Sequence, residues 1–285
     1  MEWIVERDYA REALPKRDPE GHKGSFGEVL ALAGSAGYTG AAWLTAEGAV
    51  RGGCGLVHLG VPEDIWPVEA VKCTSAMPFP LAAEDGGLSL RALEGIRERL
   101  SRCDVLALGP GLGRRAETAE LVRQLLSETE KPIVLDADGI NALAGHIDIL
   151  DGRRGRVTVL TPHEGEFLRL GGDLSRGREV AAAAFSRKYG VYLVLKGHRT
   201  LVADPEGRLA ENETGNSGMA KGGSGDVLAG MIVSLLGQGC GAFDACCAAV
   251  WLHGRAGDRA AADKGERGMT PTDLLEQIPY AMKNL

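Results

Sequence analysis

Short apolar runs recur along this chain, and each is followed by a glycine-rich or polar loop and then by a segment of helical periodicity. The first run covers residues 29–33, with a loop at 34–40, an alanine-rich segment at 41–51 and the next apolar run at 56–61. A strand, a crossover helix and a second strand in this order make the two strands parallel and the connection right-handed. The repeated unit predicts an α/β fold with a mostly parallel sheet.

The alternation continues through most of the chain. Further strands are predicted at 105–108, 133–135, 157–160, 192–195 and 200–203, and further helices at 89–100, 116–128, 177–189, 227–237, 242–262 and 271–283. The last two strands flank a short turn at 196–199, which predicts an antiparallel hairpin at the edge of the sheet. Because no linker or composition break interrupts the pattern, we expect one domain over 1–285 with a charged lead-in at 1–20.

The charge of the chain argues against whole classes of function. A net charge of -7 without a basic stripe disfavours binding to nucleic acid. The charged N-terminus does not resemble a signal peptide and no stretch is long enough to span a membrane, so we expect a cytoplasmic protein with no membrane partner. The six cysteines show neither a CxxC pair nor the spacing of a zinc site, which predicts reduced and mostly buried thiols.

Polar or glycine-rich residues follow the predicted strands at their carboxyl ends. Four such loops lie at 34–40, 109–113, 136–139 and 161–166. Open α/β sheets bind their ligands at the carboxyl ends of the strands. The four loops are therefore expected to converge on one cleft. A dinucleotide site of the dehydrogenase type is disfavoured, because the first loop lacks a GxGxxG pattern and no acidic residue ends the second strand.

The glycine-rich stretch 215–226 ends in Asp226 and leads into a predicted helix. Free N–H groups and the dipole at a helix N-terminus favour a phosphate, and glycine lets the backbone close around it. A carboxylate repels such an anion, but it suits a general base that takes a proton from a phosphoryl acceptor. The alternative is a glycine-rich turn in which Asp226 only stabilises the start of the helix.

Three further groups have both a functional and a structural interpretation. His163 lies beside Glu166, which could reach magnesium through water or belong to a loop that caps a helix. Asp136 and Asp138 could tune a phosphate or metal site, or cap a helix. Lys196 could lie near a nucleotide or in an exposed hairpin. The other histidines show no pairing that predicts a metal site.

Taken together, these motifs resemble the NAD(P)H-hydrate dehydratase family, which has a ribokinase-like fold. The match runs in the expected order from about residue 20 to the C-terminus. It rests on Lys23-Gly24 through Gly40-Ala41-Ala42, Gly109-Pro110-Gly111-Leu112-Gly113, Leu135 through Leu143, Thr161-Pro162-His163-Glu164-Gly165-Glu166, and Gly215 through Gly230. The resemblance implies a three-layer α/β/α sandwich.

It also implies a lyase that repairs NADH and NADPH after hydration of the nicotinamide ring. Such an enzyme dehydrates the S epimer, consuming ADP, or in some members ATP, with magnesium as the metal. Asp226 would take the proton of the ring hydroxyl, and the amides of Gly223, Ser224 and Gly225 would hold the transferring phosphoryl group. AMP and phosphate would be released.

Further site residues follow from the resemblance by position. The hydrated nucleotide would lie against Ala41, Ala42, Gly111, Gly113, His163 and Asp226. The adenylate of the donor would lie against Lys196, Gly197, His198, Arg199, Thr200 and Gly225. Glu166 would act on magnesium through water. A homotetramer is expected, and a separate epimerase would act upstream because the segment before Gly24 is too short to hold that domain.

Two alternatives remain open on the residues alone. A kinase of the same fold, acting on a thiamin-precursor alcohol, would use the same aspartate to deprotonate a primary hydroxyl. A nucleotide-binding module without catalysis would also use the glycine-rich loop. Asp226 disfavours the second alternative, since a carboxylate weakens simple phosphate binding.

Overall fold

The computed structural model describes residues 2–285. The strands are β1 (Glu2–Ile4), β2 (Glu28–Leu32), β3 (Leu56–Pro62), β4 (Met77–Leu81), β5 (Ala83–Glu84), β6 (Gly87–Leu88), β7 (Val105–Leu108), β8 (Ile133–Leu135), β9 (Thr158–Leu160), β10 (Tyr192–Leu195), β11 (Thr200–Ala203) and β12 (Leu209–Asn212). The helices are α1 (Arg7–Ala13), α2 (Thr39–Arg51), α3 (Trp66–Lys72), α4 (Leu93–Arg102), α5 (Ala116–Glu128), α6 (Asp138–Asn141), α7 (Glu164–Arg169), α8 (Arg178–Tyr189), α9 (Ser224–Gly237), α10 (Ala242–Lys264) and α11 (Pro271–Lys283).

One large sheet organises the molecule. Its strand order within residues 2–285 is β1-β12-β11-β10-β9-β8-β7-β2-β3-β4. In this order, all strands from β10 across the sheet to β4 are parallel to one another. β11 is antiparallel to both of its neighbours, β10 and β12. The mostly parallel sheet and the hairpin are thus confirmed. The hairpin does not form the edge, however, because β12 pairs with β11 and β1 then adds in parallel to β12.

Both faces of this sheet are buried, which explains why its strands are continuous apolar runs. Val29 and Ala31 of β2 point into a core shared with α2, α9, α10 and α11, while Leu30 and Leu32 point into a second core under α4, α5 and α8. Alternate residues of a strand face opposite sides of the sheet. The predicted three-layer α/β/α sandwich is therefore confirmed.

Three strands of the sheet escaped prediction because their sequences lack the expected signals. β12 has only two apolar residues, Leu209 and Ala210, before two polar ones. β4 contains Pro78 and Pro80, which cannot donate to a neighbouring strand and are tolerated because β4 lies at the edge. β1 lies within the charged lead-in and has only three residues. Of the helices between residues 2 and 285, none combines the length and the apolar composition needed to cross a membrane.

Helices α2 and α9 pack so closely that glycine is required at their crossing. A Cβ atom built on Gly230 would lie 2.2 Å from the carbonyl oxygen of Thr45, and one on Gly48 would lie 2.6 Å from that of Val227. Neither distance leaves room for a side chain. This contact holds the first half of α9 against the second half of α2.

Candidate active site

The loops that follow the parallel strands are joined by hydrogen bonds. The amide of Gly34 donates to the carbonyl of Pro110 over 2.8 Å, and the amide of Gly113 donates to Asp138 Oδ2 over 2.9 Å. The amide of Lys196 donates to the carbonyl of Pro162 over 2.8 Å. The predicted convergence of the strand-end loops is confirmed.

An ion pair lies at the centre of these loops. Lys196 Nζ donates to Asp136 Oδ1 over 2.7 Å, and the side chain of Asp136 is only 2% exposed. Thr161 Oγ1 donates to the same oxygen over 2.7 Å. Burial works to lower the pKa of Lys196, but the carboxylates of Asp136, Glu166 and Asp226 raise it above the ordinary value. The site therefore holds a fixed ammonium ion.

The glycine-rich stretch places the start of α9 directly against this ammonium ion. The helix begins at Ser224, three residues earlier than predicted, so Asp226 lies in its first turn. The amides of Gly222, Gly225 and Asp226 find no acceptor within the described chain. A Cβ atom on Gly225 would lie only 3.1 Å from Lys196 Nζ. The amides and the ammonium ion are donors of the kind that bind phosphate groups in proteins.

Gly223 is the N-cap of α9 and supplies the backbone conformation that exposes these amides. Its φ is 103°, and a Cβ atom there would lie 2.5 Å from Leu44 Cδ1. We expect Gly223→Ala to lower the free energy of unfolding by about 1–2 kcal/mol, because a side chain is strained in this region.

Gly222→Ala is the matched control for this prediction. No atom lies within 4 Å of a Cβ atom built on Gly222, and its φ is not positive. Urea denaturation should show a change within about 0.5 kcal/mol for this variant. An equal loss of stability in both variants would contradict the assigned role of the positive φ.

The carboxylate of Asp226 points into the site without a protein partner. Among residues 2–285 no group donates a hydrogen bond to it, and Gly223, not Asp226, is the N-cap. Asp226 is therefore not the N-cap, although a carboxylate in the first turn still stabilises the start of the helix, as the structural alternative expected. Burial, followed by the negative charge of Asp136, raises the pKa of Asp226 to about 7 although Lys196 opposes the shift. Such a pKa suits a general base at neutral pH.

His163 and Glu166 form a capping box at the start of α7. His163 Nδ1 accepts from the amides of Gly165 and Glu166 over 3.0 and 3.3 Å, and Glu166 Oε2 accepts from the amide of His163 over 2.9 Å. The capping interpretation of this loop is confirmed. Because Nδ1 is an acceptor, neutral His163 carries its proton on Nε2, and its side chain is 55% exposed.

Comparison with known proteins identifies the family of this site. A family model described as NAD(P)H-hydrate dehydratase matches residues 29–280. The chain belongs to the NAD(P)H-hydrate dehydratase family. The match covers every loop of the site, so the resemblance inferred from the motifs is confirmed.

Individual relatives agree with this assignment. The chain is 45% identical over 282 residues to the bifunctional NAD(P)H-hydrate repair enzyme of Moorella thermoacetica, covering 97% of this chain and 53% of the relative. It is 40% identical over 247 residues to the ADP-dependent (S)-NAD(P)H-hydrate dehydratase of Neisseria meningitidis, covering 85% and 80%. It spans about half the length of the bifunctional relatives.

A solved structure supports the same conclusion on the fold. The ADP/ATP-dependent NAD(P)H-hydrate dehydratase of Bacillus subtilis, co-crystallised with ATP and Mg²⁺, superposes with a TM-score of 0.81 at 29% identity. The match covers 99% of this chain and 98% of that one. The ribokinase-like architecture is therefore established.

Of the residues that the family pattern assigns to the hydrated nucleotide, those at the start of α2 lie against those in the loop after β7. A Cβ atom on Gly111 would lie 2.7 Å from that of Ala41, and Ser35 Oγ donates to the carbonyl of Gly111 over 2.7 Å. Gly113 lies in the same loop as Gly111, and its amide donates to Asp138 Oδ2. Ala42 is fully buried, so its methyl group supports the helix and Ala41 is the accessible member of the pair.

The segment that the family pattern assigns to the adenylate is held by an arginine that the sequence analysis missed. Arg178 donates to the carbonyls of Leu195, Lys196, His198 and Arg199 over 2.9 to 3.4 Å. Arg199 itself has a φ of 58° and forms ion pairs with Glu211 of β12 and with Glu213 just after it. Gly197 and His198 are exposed at the tip. No local pattern links Arg178 to this turn, because it lies on a different element.

Other missed residues hold the glycine-rich stretch on α10. His253 Nε2 lies 2.8 Å from the carbonyl oxygen of Ser224, and burial lowers the pKa of this histidine to about 4, so it is neutral and donates. Asp258 accepts from the amide of Gly215 and the side chain of Asn216 over 3.3 and 3.2 Å. Lys221 donates to the carbonyls of Arg267 and Met269, so its ammonium ion has a structural role.

Magnesium, which the family implies, fits this site only when the phosphates of a bound nucleotide lie beside it. Glu166 is bonded to the amide of His163, Asp136 to Lys196, and Asp138 to Gly113 and Asn141. These carboxylates are already bonded, and Mg²⁺ keeps much of its hydration. Glu166 would therefore hold it through water beside the phosphates of a nucleotide.

Proposed function

We propose that this chain is an ADP-dependent, or ATP-dependent, NAD(P)H-hydrate dehydratase. It would convert the S epimer of hydrated NADH or NADPH to NADH or NADPH, a hydro-lyase reaction of metabolite repair. The observation that carries the proposal is the unpartnered carboxylate of Asp226 in the first turn of α9, next to free amides and Lys196. A relative of that activity is 40% identical to this chain over 247 residues.

The first step is phosphoryl transfer to the ring hydroxyl. Hydroxide is a poor leaving group, so the hydroxyl oxygen attacks the terminal phosphorus of ADP while Asp226 takes its proton. The bond from that phosphorus to the bridging oxygen breaks and AMP leaves. The amides of Gly223 and Gly225, with the ammonium ion of Lys196, would stabilise the charge on the transferring group, whereas the predicted third donor, the amide of Ser224, already donates to the carbonyl of Lys221 over 3.3 Å. Bound Mg²⁺ would neutralise further phosphate charge.

The second step is elimination. The lone pair of the ring nitrogen expels phosphate from the neighbouring carbon, and loss of a ring proton restores the double bond. Hydrated nucleotide and ADP thus yield reduced nucleotide, AMP and phosphate. The proposed contacts of the nicotinamide nucleotide are Ala41, Gly111, Gly113, His163 and Asp226. Lys196 to Thr200 and Gly225 would hold the adenylate.

Some features of the proposal rest on the family alone. Mg²⁺ as the metal, a homotetramer, a cytoplasmic location and an epimerase that supplies the S epimer are all expected on that ground. A kinase of a thiamin-precursor alcohol would use the same base, but the family match over 29–280 favours the dehydratase. The unpartnered base likewise disfavours a module that only binds nucleotides.

The deciding experiment supplies the purified protein with NADH hydrate, Mg²⁺ and either ADP or ATP. The absorbance of reduced nicotinamide should return, and one AMP should form per NADH when ADP is the donor. Omission of the nucleotide is the control. If neither donor restores the absorbance, the dehydratase activity is ruled out.

The pH dependence of the reaction follows from the pKa of Asp226, which burial raises to about 7. A base must be ionised, so kcat/KM should fall about tenfold per pH unit below this pKa and level off above it. Initial rates at subsaturating NADH hydrate, measured from about pH 5.5 to 8.5, test the prediction. A flat profile over this range would remove Asp226 from the role of base.

A further inference from the structure

A second cluster of reactive side chains lies at the opposite end of the central strands. His58 Nε2 is 2.6 Å from Glu28 Oε1, and the ligand atoms of Glu28, His58 and Cys103 all lie within 4.8 Å of one another. It is the one group of three such residues found between residues 2 and 285. None of the three takes part in the proposed reaction.

The backbone holds these residues on three neighbouring strands. Glu28 opens β2, His58 lies in β3, and Cys103 comes two residues before β7. The amide of Glu28 donates to Asp104 Oδ2 over 2.8 Å, and the amide of Asp104 donates back to the carbonyl of Glu28 over 2.8 Å. This reciprocal pair fixes the residue beside Cys103 against β2. The cluster is therefore built on rigid elements.

Access and burial at the cluster suit a small cation. Cys103 is fully buried, whereas the side chains of His58 and Glu28 are 10% and 24% exposed. An ion could enter past the carboxylate and keep water as a fourth ligand. In a tetrahedral site with bonds of about 2.0 to 2.3 Å, ligand atoms lie roughly 3.3 to 3.7 Å apart. The three ligand atoms lie within 4.8 Å of one another, close to that spacing.

We propose that Glu28, His58 and Cys103 form a structural site for Zn²⁺. A thiolate, an imidazole and a carboxylate are a ligand set that zinc accepts, whereas Mg²⁺ and Ca²⁺ prefer oxygen alone. Binding releases the thiol proton of Cys103 and breaks the hydrogen bond between His58 and Glu28. The ion then crosslinks β2, β3 and β7 at the end of the sheet remote from the phosphate site.

The test uses the full chain without nucleotide. Titration with Co²⁺, which mimics zinc and is coloured, should produce a thiolate-to-cobalt band in the near ultraviolet with one ion per chain. Zn²⁺ should abolish the band by competition and raise Tm by a few degrees, since it binds only the folded state. Mg²⁺ at the same concentration should do neither. Absence of both the band and the Tm shift would overturn the proposal.

Cobalt binding by single variants tests whether these residues are the ligands. Cys103→Ser should abolish the cobalt band, whereas Cys73→Ser, at a half-buried cysteine outside the cluster, should keep it. Persistence of the band in Cys103→Ser would place the metal elsewhere and refute the assignment. His58→Gln keeps the thiol and guards against misfolding of Cys103→Ser. It should weaken cobalt binding by more than about tenfold, and unchanged affinity would also refute the site.

Discussion

Replacement of Asp226 by asparagine is expected to lower kcat by about 10³-fold, because the reaction loses the base that takes the hydroxyl proton. Binding of ADP should persist, since the amides at the start of α9 and Lys196 are unchanged. The assay is recovery of reduced nicotinamide from NADH hydrate, with ADP affinity measured by calorimetry. A rate near that of the wild type would exclude Asp226 from the mechanism.

Stability measurements separate this effect from misfolding. The raised pKa of Asp226 means that the folded state favours its protonated form. The protonated carboxyl of Asp226 therefore contributes stability in full below the pKa that Asp226 has in the unfolded chain, and this contribution is lost as pH rises through about 7. At about pH 8 the ionised carboxylate destabilises the folded state, and Asp226→Asn removes that charge. The Tm of the variant should therefore equal or exceed that of the wild type at this pH. Asp148→Asn, at an exposed carboxylate, should change neither rate nor Tm.

Replacement of Lys196 by methionine should impair both stability and catalysis. The variant leaves Asp136 buried without its cation, which costs about 3 kcal/mol. It also removes positive charge beside the phosphoryl site, so kcat should fall about 10²- to 10³-fold. Since Lys196 lowers the pKa of Asp226, the acid limb of the kcat/KM profile should move to higher pH. Chemical denaturation and pH-rate profiles measure these effects.

A double variant distinguishes the two roles of Lys196. In Asp136→Asn/Lys196→Met neither member of the ion pair is left as a buried charge without its partner, and the asparagine can still accept from Thr161. Most of the lost stability should return while the rate stays low. Recovery of the rate together with stability would show that Lys196 only maintains the fold.

The strand and helix pattern could be predicted because each strand of the central sheet is buried on both faces. Residues 105–108 and 133–135 were predicted with the bounds of β7 and β8, since nothing but an apolar run satisfies that environment. The edge strands β4 and β1 lack this constraint and were missed, and so was the short strand β12 beside β1. The position of the hairpin was also wrong, because β12 and β1 lie outside it.

The candidate site was predictable only in part. The glycine-rich stretch and Asp226 could be recognised because glycines and a carboxylate at a helix start form a compact pattern. Arg178 and His253, which hold the turn at 196–199 and the first turn of α9, were not found. Each of them bonds to backbone carbonyls. Because every residue type has a backbone carbonyl, the sequence does not indicate which residue is the partner.

The sequence by itself therefore determined the α/β fold, the family and the loops that meet at the carboxyl ends of the strands, because these depend on local apolar runs and short motifs. Only the tertiary structure decided the state of the side chains. It showed that Asp226 lies in the first turn of α9 without a hydrogen-bond donor and that Lys196 pairs with Asp136, 60 residues away. It also brought Cys103 beside Glu28 and His58, although cysteine spacing predicted no metal site. Charge and distance between remote residues arise only when the strands come together in the sheet.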